Sequence, residues 1–374
     1  MRKKVAVGLS GGIDSSVAAA ILKEDGFEVT GVFMKIWAGE KGVKEGGCYG
    51  PEENDLKLAE ITAKILNIPL IVVDVVNEFK KVVLSYFKKE YLKGRTPNPC
   101  LICNRFIKFG ILIEKVREMG INFDYFATGH YSRVEYNKKR GRYVLKKGID
   151  EKKDQSYFLS FLTQKQLSKL IFPLGHLKKS EVKKIGKKYG FPSSEKEESQ
   201  DFISGDKFFL FNQQKKWDIF DTEGNYLGKH KGRHFYTIGQ RRGTGVAKGY
   251  PVYVVEIDGK KNRIIVGKKK DVYKKCLIAG KVNPVSVDRI ENGMKVEGKI
   301  RYKSPLSEAT VFPVEKGKII VNFKKPQWAI TPGQAVVLYG KDEIICGAII
   351  EKGVKNEEIG MYIKEGKEKI FRSS

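Results

Sequence analysis

The segment that most constrains the fold lies near the N-terminus, where a short apolar run meets a glycine-rich turn. Val5 to Val7 have the composition of a buried β-strand, SGGIDSS follows from Ser10 to Ser16, and a helix-forming run comes next. Glycines let a backbone approach a phosphate, and the free N–H groups and dipole of a helix N-terminus favour negative charge. The pattern therefore predicts a strand, an anion-binding turn and a helix, in that order.

This turn differs from two well-known nucleotide-binding fingerprints. A P-loop requires G-x-x-x-x-G-K-[ST], and no lysine follows Gly12. A dinucleotide-binding fold requires G-x-G-x-x-G, which the segment lacks. A tight turn without a ligand is the simpler alternative, and the number of constrained positions at one strand-to-helix junction argues against it.

The first half of the chain alternates apolar strands with amphipathic helices. Strands are predicted at Glu28 to Met34, at Pro69 to Val76 and at the start of Phe123 to Tyr131, and Asp55 to Leu66 has helical spacing. Such alternation predicts an α/β fold with a doubly wound parallel sheet, whose ligand lies beyond the carboxyl ends of the strands. Ala38 to Gly50 is rich in glycine and charge and is predicted to be a loop.

The second half changes to short strands punctuated by glycine. His234 to Gln240 and Tyr253 to Ile257 are predicted strands of a small β-module, and turn signals recur from Cys276 onward, where Lys299 to Tyr302 is one predicted strand. The later pattern is typical of a β-barrel or sandwich. We therefore expect three domains: a catalytic nucleotide-binding domain at 1–206, a β-rich module at 207–275 and a β-barrel domain at 276–374.

Charge and cysteine content indicate the partner and the compartment. Lys and Arg number 71 against 44 Asp and Glu, a net charge of +27, which favours a polyanionic partner. A lysine-rich surface kept for solubility is the alternative. No run approaches the roughly 18 apolar residues of a membrane span, and the first residues lead directly into a strand, so we expect no membrane association and no cleavable signal. An odd number of cysteines without a signal indicates a reducing compartment, the cytoplasm.

A second distinctive segment is GRTPNPCLICNRFIKF, from Gly94 to Phe109. Its two prolines predict a rigid loop, and Cys100 and Cys103 follow where a helix begins. The helix N-terminus and the basic residues nearby, Lys108 among them, are expected to lower the pKa of these thiols. The C-x-x-C spacing by itself fits a redox pair, metal ligands or chance.

Taken together, the motifs resemble those of one family, the bacterial tRNA-specific 2-thiouridylases (MnmA type). The matching segments are SGGIDSS, FMKIW, GRTPNPCLICNRFIKF, ATGHYSRV, DQSYFL, HFYTIGQRRGTGV, YVVEID and RYKSP, which span essentially the whole chain. The first of them resembles the pyrophosphate loop of enzymes that split ATP into AMP and pyrophosphate. The resemblance implies that ATP adenylates the 2-oxygen of the wobble uridine of tRNA, and that sulfur then displaces AMP.

The resemblance also assigns residues to roles. Cys103 matches the attacking cysteine. Asp14, in the matching pyrophosphate loop, and Cys100, at a position where this chain departs from the family, are the other catalytic candidates. Magnesium is expected because ATP phosphates normally bring it. The residues implied for ATP are Gly8, Leu9, Ser10, Gly11, Gly12, Ile13, Asp14, Ser15, Met34 at the adenine, and Gly129. The residues implied for tRNA are Asn98, Pro99, Cys100, His130, Lys153, Asp154, Gln155, Arg301, Tyr302 and Gln334.

This chain departs from the family pattern at the cysteines. The family has an acidic residue where Cys100 stands, and it carries a second catalytic cysteine in a segment like SQDICFI, where Ser199 to Asp206 reads SQDFISGD. One explanation is a 4Fe–4S cluster on Cys48, Cys100 and Cys103. Another is a relay in which Cys100 is the partner of a Cys103 persulfide, and a structural zinc is a third. The sulfur donor would be a protein persulfide or sulfide.

Three functions fit these observations to different degrees. The first is an ATP-dependent tRNA sulfurtransferase. The second is a non-catalytic tRNA- or RNA-binding protein with a vestigial nucleotide loop, which the intact SGGIDSS segment disfavours. The third is a ligase of the same loop class acting on a small molecule, which the net charge and the β-rich half disfavour.

Overall fold

The computed structural model describes residues 2–195, 201–205, 210–211, 217–230, 232–259, 261–314 and 317–354. The chain divides into two compact units. As far as their residues are described, the first unit comprises Met1–Leu84, Pro99–Leu210 and Asp342–Ile344, and the second comprises Ser85–Asn98, Phe211–Lys341 and Ile345–Ser374.

The helices lie mainly in the first half of the chain. Their bounds are α1 Ile13–Glu24, α2 Glu53–Leu66, α3 Val76–Phe79, α4 Ser85–Leu92, α5 Pro99–Ile102, α6 Leu112–Glu118, α7 Ser156–Leu159, α8 Gln164–Leu167 and α9 Lys179–Lys188. Two π-helical segments, Lys80–Leu84 and Cys103–Ile111, connect α3 to α4 and α5 to α6. Within the described ranges, no helix combines the length and the apolar character needed to span a bilayer.

The first unit is organised by a parallel sheet. The strands up to residue 205 are β1 Lys4–Gly8, β2 Glu28–Lys35, β3 Val43–Lys44, β4 Gly47–Tyr49, β5 Leu70–Asp74, β6 Tyr125–Ala127, β7 Ser132–Asn137, β8 Arg142–Lys147, β9 Leu170–Ile171 and β10 Asp201–Gly205. Five of them pair in parallel in the order β5-β2-β1-β6-β9. The predicted α/β fold is therefore confirmed.

Strand β1 is central because its residues can be buried on both faces. Val5, Ala6 and Val7 are at most 1% exposed, and a strand covered on both faces of a parallel sheet needs such a continuous apolar run. Helix α1 packs on β1 and β2 through a buried stretch from Val17 to Ala20. This packing fixes the position of the glycine-rich turn between β1 and α1.

The predicted loop from Ala38 to Gly50 contains two short strands, so that prediction was wrong in part. Strand β10 pairs in antiparallel with β3 and in parallel with β4. A Cβ at Gly47 would lie 2.7 Å from the Ser204 amide nitrogen, so a glycine is needed for this close pairing. Strands of two or three residues that pair with a distant segment leave no local periodicity in the sequence.

The second unit contains two β-structures. Its strands are β11 Trp217–Asp221, β12 Tyr226–His230, β13 Tyr253–Asp258, β14 Arg263–Gly267, β15 Tyr273–Pro284, β16 Met294–Lys299, β17 Ser307–Pro313, β18 Ile319–Trp328, β19 Ala335–Gly340 and β20 Glu343–Val354, of which Glu343 and Ile344 belong to the first unit. The order β12-β11-β14-β13 forms one sheet. The order β15-β18-β17-β16-β19-β20 closes into a barrel because β20 also pairs with β15.

Two predicted strands of this half are wrong. Strand β16 ends at Lys299, and residues 300–303 form a turn in which the amides of Ile300 and Arg301 donate to Ser304 Oγ at 3.2 Å. The predicted strand at His234 begins instead within a short 3₁₀ turn. Its end is bonded to β13, since the Gly239 amide donates to the Val254 carbonyl oxygen at 2.8 Å and the Val254 amide donates to the Gln240 carbonyl oxygen at 3.0 Å. At Arg301, side-chain and turn hydrogen bonds replaced the ladder that the β-propensity of the segment suggested.

Candidate active site

The glycine-rich turn follows β1 and is closed by the hydroxyl of Ser15. The Ser10 amide donates to Ser15 Oγ at 3.1 Å, and Ser15 Oγ donates to the carbonyl oxygen of Gly12 at 2.8 Å. Gly12 is the N-cap of the 12-residue helix α1 and has no side chain that could accept from the first turn. The first N–H groups of α1 are therefore available to a ligand, the arrangement that binds phosphate.

Close backbone contacts explain two of the glycines at this turn. Gly11 has a φ of +72°, and a Cβ there would lie 2.4 Å from the carbonyl oxygen of Asp55. A Cβ at Gly129 would lie 2.6 Å from the carbonyl carbon of Asp14 and 2.7 Å from the amide nitrogen of Ser15. The loop after β6 thus lies directly against the start of α1, and the fold brings Gly129 to the turn.

Asp14, in the first turn of α1, is held by two side chains that the sequence analysis did not single out. Lys179 Nζ lies 2.7 Å and 2.8 Å from its two carboxylate oxygens. The Tyr131 hydroxyl donates to Asp14 Oδ1 at 2.7 Å. Lys179 begins α9 and is only 9% exposed. A single lysine in a lysine-rich chain has no signal of its own, and only the fold brings it to Asp14.

Met34 lies on β2, the strand next to the turn. The register pairs Gly8 with Val32, and Met34 with Val73 of β5. The Leu9 amide donates to the carbonyl oxygen of Val32 at 2.8 Å. Met34 therefore lies near the carboxyl end of the sheet with a partly buried side chain, at the edge where parallel sheets bind ligands.

Cys100 and Cys103 lie where their helix begins, as predicted. Helix α5 starts at Pro99, and the π-helical segment starts at Cys103. The prediction of lowered thiol pKa values is wrong. Burial raises the pKa of Cys103 to about 11 and also raises the pKa of Cys100, while Lys108 opposes both shifts without offsetting them. Desolvation of a thiolate here outweighs the nearby positive charge.

Two amide side chains support the π-helical segment, and the sequence analysis found neither. Gln166 Nε2 donates to the carbonyl oxygens of Arg105 and Phe109 at 2.7 Å and 2.9 Å. Asn104 Nδ2 donates to the carbonyl oxygen of Phe158 at 3.1 Å. A π-helical segment departs from regular helical bonding, and these bonds hold the distorted region that follows Cys103.

His130 connects the nucleotide side of the first unit to the cysteine helix. Its ring centroid lies 5.7 Å from that of Phe109 and 5.9 Å from that of Phe172. Its Nδ1 lies 2.6 Å from Thr128 Oγ1. Burial, together with the charge of Lys108, holds the pKa of His130 well below its usual value. A neutral imidazole can donate or accept a hydrogen bond but supplies no positive charge.

Asp154 and Gln155 hold the loop that carries Tyr131. Gln155 Oε1 accepts from the Tyr131 amide at 3.1 Å, and the Gln155 amide donates to the Tyr131 carbonyl oxygen at 2.9 Å. Asp154 is 4% exposed, and its Oδ1 accepts from two backbone amides at 3.1 Å. In this structure Gln155 positions Tyr131 and, through the tyrosine hydroxyl, Asp14, whereas Asp154 holds the backbone at Gly148 and Ser156. Lys153 lies beside them and is partly buried.

Cys48 belongs to the same neighbourhood as the C-x-x-C pair. It lies on β4, is exposed, and its charge adds to burial in raising the pKa of both Cys100 and Cys103. Among the described residues, however, no three His, Cys, Asp or Glu side chains are placed so as to hold a metal ion. As positioned, the three cysteines do not fit the ligation of a 4Fe–4S cluster or of zinc.

The second unit holds the loop that precedes the cysteine helix. Gln334 Nε2 donates to the carbonyl oxygens of Thr96 and Pro97 at 3.1 Å and 3.0 Å. The Thr96 amide donates to the carbonyl oxygen of Pro332 at 2.9 Å. A Cβ at Gly333 would lie 2.7 Å from the Thr96 carbonyl oxygen, so this approach requires glycine. Gln334 thus anchors the segment immediately upstream of α5.

The remaining residues implied for tRNA also make contacts inside the second unit. Arg301 donates from one guanidinium nitrogen to the carbonyl oxygen of Ala329 at 2.5 Å and to Thr331 Oγ1 at 2.6 Å. Tyr302 follows in the turn and is partly buried. Asn98 is 8% exposed. The sequence pointed to these residues through a resemblance, but it did not reveal that Arg301 holds the backbone of its own barrel.

Comparison with known proteins agrees with this architecture. Residues 3–204, more than half of the chain, match the family described as tRNA methyl transferase HUP domain. Residues 209–268 match the tRNA methyl transferase PRC-barrel domain, and residues 274–350 match the aminomethyltransferase beta-barrel domain. The three matches follow one another along the chain.

Two relatives match over nearly their whole length. The tRNA-specific 2-thiouridylase MnmA 2 of Thermoanaerobacter sp. (strain X514) is 46% identical over 368 residues, which is 95% of this chain and 100% of that protein. The tRNA-specific 2-thiouridylase MnmA of Acetivibrio thermocellus is 44% identical, over 94% of this chain and 99% of that protein. Among solved structures, NMN synthetase from Francisella tularensis matches 52% of this chain and 65% of its own at 18% identity and a TM-score of 0.32, too distant to carry an argument. The chain therefore belongs to the family of tRNA-specific 2-thiouridylases.

Proposed function

We propose that this protein is a cytoplasmic, ATP-dependent tRNA sulfurtransferase that converts the wobble uridine of tRNA to 2-thiouridine. ATP adenylates the 2-oxygen of the uridine and releases pyrophosphate. Sulfur then attacks the activated ring carbon, and AMP leaves with the oxygen. Adenylation is needed because a uracil carbonyl oxygen is a poor leaving group. The names of the close relatives support the substrate, and the arrangement of the first unit supports the two steps.

One observation carries this proposal: a single loop joins the phosphate-binding turn to the cysteine helix. Gly129 lies against the backbone of Asp14 and Ser15. The next residue, His130, packs on Phe109 of the segment that begins at Cys103. A nucleotide-binding turn and a thiol connected in this way suit a reaction in which ATP activates a substrate and sulfur attacks it in place.

Lys179 is assigned to the ATP phosphates. It neutralises Asp14 at the N-terminus of α1 and is almost completely buried. A preorganised cation in such a position stabilises negative charge that develops on a departing pyrophosphate. Magnesium is expected to arrive with ATP, because the phosphates provide the oxygen ligands that it prefers.

Sulfur transfer is assigned to a persulfide on Cys103. The sulfur that ends in the product comes from a donor, because Cys103 must be regenerated after each turnover. A protein persulfide can pass its outer sulfur to the Cys103 thiol and is itself left as a thiol. Sulfide, the alternative donor, would instead attack the adenylated uridine directly, without a Cys103 persulfide. A 4Fe–4S cluster on Cys48, Cys100 and Cys103 is not part of this proposal, because the positions of these side chains do not fit its ligation. Iron and sulfide analysis after anaerobic purification tests this point, since a colourless, iron-free and active protein excludes the cluster.

The basic surface and the remaining site residues are assigned to tRNA. A net charge of +27 favours fast, salt-sensitive association with a polyanion. Asn98, Pro99 and Cys100 are proposed at the target base. The other proposed tRNA residues are His130, Lys153, Asp154, Gln155, Arg301, Tyr302 and Gln334.

The test uses unmodified tRNA, ATP and a persulfide donor, and it measures pyrophosphate release and 2-thiouridine separately. Lys179→Met is expected to lower pyrophosphate release by about 100-fold or more, because a charge-stabilising group is removed. Cys103→Ala is expected to abolish 2-thiouridine while it retains pyrophosphate release. Lys183→Ala, an exposed lysine on the same helix, is the control for Lys179. A well-folded wild type that releases no pyrophosphate with cognate tRNA would refute the enzyme hypothesis and leave the non-catalytic RNA-binding alternative.

A further inference from the structure

All five cysteines of the chain are described, and they fall into two groups. Cys276 and Cys346 have no exposed surface within the barrel of the second unit, and Cys276 Sγ lies 3.1 Å from Asn322 Oδ1. Cys48, Cys100 and Cys103 lie in the first unit and are at least partly exposed. The thiols of this chain available to exchange with Cys103 are therefore Cys48 and Cys100.

The strand that carries Cys48 is fixed next to the cysteine helix. The Tyr49 ring stacks on Phe79 with centroids 5.3 Å apart and planes 3° from parallel. Phe79 ends α3, and α3 packs against the Cys103–Ile111 segment. Strand β4 also pairs in parallel with β10, and none of the residues Asp201–Gly205 of β10 is a cysteine. Side chains alternate along a strand, so that Tyr49 is buried while its neighbour Cys48 stays exposed.

Cys48 and Cys100 differ in the solvent exposure of their side chains. Both lie in the neighbourhood of Cys103: Cys100 precedes it on the same helix, and Cys48 lies on the strand whose Tyr49 stacks on Phe79 of α3, which packs against the Cys103–Ile111 segment. Cys100 is partly buried one helical turn before Cys103, whereas Cys48 is open to solvent. A thiol that must meet a reductant from solution needs this exposure.

We propose that Cys48 is the resolving thiol of sulfur transfer, the group that frees 2-thiouridine from Cys103. This inference rests on the proposed function. The terminal sulfur of the Cys103 persulfide forms a bond to C2 of the adenylated uridine, and the C2–O bond breaks as AMP leaves. The uridine is then joined to Cys103 Sγ through a disulfide.

Cys48 then releases 2-thiouridine by thiol–disulfide exchange. Its thiolate attacks Cys103 Sγ, a Cys48–Cys103 disulfide forms, and the bond from Cys103 Sγ to the sulfur on uridine breaks, leaving its electron pair on that sulfur. A thiol reductant from solution, two monothiols or one dithiol, then supplies two electrons and two protons. Both cysteines return to thiols, and Cys103 can accept the next sulfur.

The test is one turnover by persulfide-loaded protein with ATP and tRNA in the absence of reductant. For Cys48→Ser we expect unchanged pyrophosphate release, at least a tenfold loss of free 2-thiouridine, and a tRNA–protein adduct on a non-reducing gel that dithiothreitol releases. Wild type should form a Cys48–Cys103 disulfide, detected by peptide mass spectrometry. Cys100 and Cys103 share one tryptic peptide between Arg95 and Arg105, so a Cys100→Ser background makes the assignment unique.

A control variant and the results that would contradict the assignment of Cys48 can be told apart. Cys276→Ser keeps a hydrogen-bond donor to Asn322 and should behave as wild type. Wild-type turnover by Cys48→Ser, or an adduct that accumulates in Cys100→Ser but not in Cys48→Ser, overturns the assignment. Thermal unfolding of Cys48→Ser is expected to match wild type because the side chain is exposed. Failure of the proposed function itself is distinguished by the absence of pyrophosphate release from wild type.

Discussion

Replacement of Gln334 by Met tests whether the barrel of the second unit holds the loop before the cysteine helix. The side-chain amide donates to the carbonyl oxygens of Thr96 and Pro97. Methionine has a similar length but no donor, so both carbonyls lose this partner. At roughly 0.5–1.5 kcal/mol for each net hydrogen bond, the loop should lose about 1–3 kcal/mol of local stability.

Hydrogen exchange of the Thr96 amide measures this loss directly, since that amide is bonded to the carbonyl oxygen of Pro332. If exchange occurs through opening of the loop, the same free energy corresponds to exchange faster by roughly 5- to 150-fold. We expect 2-thiouridine formation to fall while ATP affinity is unchanged. Gln327→Met is the matched control. The Gln327 amide lies on strand β18, donates to the Lys325 carbonyl oxygen of the same strand at 2.9 Å and accepts from Ser307 Oγ at 3.2 Å, so neither bond involves the loop at Thr96.

Two results would refute this reasoning. Equal Thr96 exchange in wild type and in Gln334→Met would mean that the two bonds do not hold the loop. Weaker tRNA binding by Gln334→Met, together with unchanged Thr96 exchange, would assign the side chain to tRNA contact instead.

Two further predictions concern Arg301 and His130. Arg301→Ala should lower the free energy of unfolding by about 2 kcal/mol, because hydrogen bonds from a charged donor to Ala329 and Thr331 are lost. If the dependence of tRNA affinity on salt concentration is the same in this variant as in wild type, a contact of Arg301 with a phosphate is excluded. The pKa of His130 is depressed in the folded state. The contribution of the neutral imidazole to the free energy of unfolding is therefore present above the pKa of the unfolded state, about 6.5, and is lost as the pH falls below that value. His130→Asn should flatten the acid side of a plot of unfolding free energy against pH by up to about 1.4 kcal/mol per pH unit, and an unaltered slope would contradict the neutral, packed imidazole.

Local patterns predicted the parts of the fold in which neighbouring residues decide the structure. The apolar run of β1, the turn after it and the start of α1 all follow from residue types within a few positions of one another. The helix start at the cysteines follows from the prolines before Cys100. Periodicity failed where the strand signal was short or where a side chain replaced a ladder, as at β4 and at the turn that contains Arg301.

The residue order alone therefore specifies which chemical groups are available: a glycine-rich anion turn, a C-x-x-C pair, an excess of positive charge and the motifs of one family. Tertiary structure decided how that chemistry is arranged. It brought Lys179 to Asp14 across 165 positions, and it placed Cys48 near the cysteine helix. It also reversed the expected thiol pKa shift, because burial depends on packing from distant segments, which no local pattern encodes.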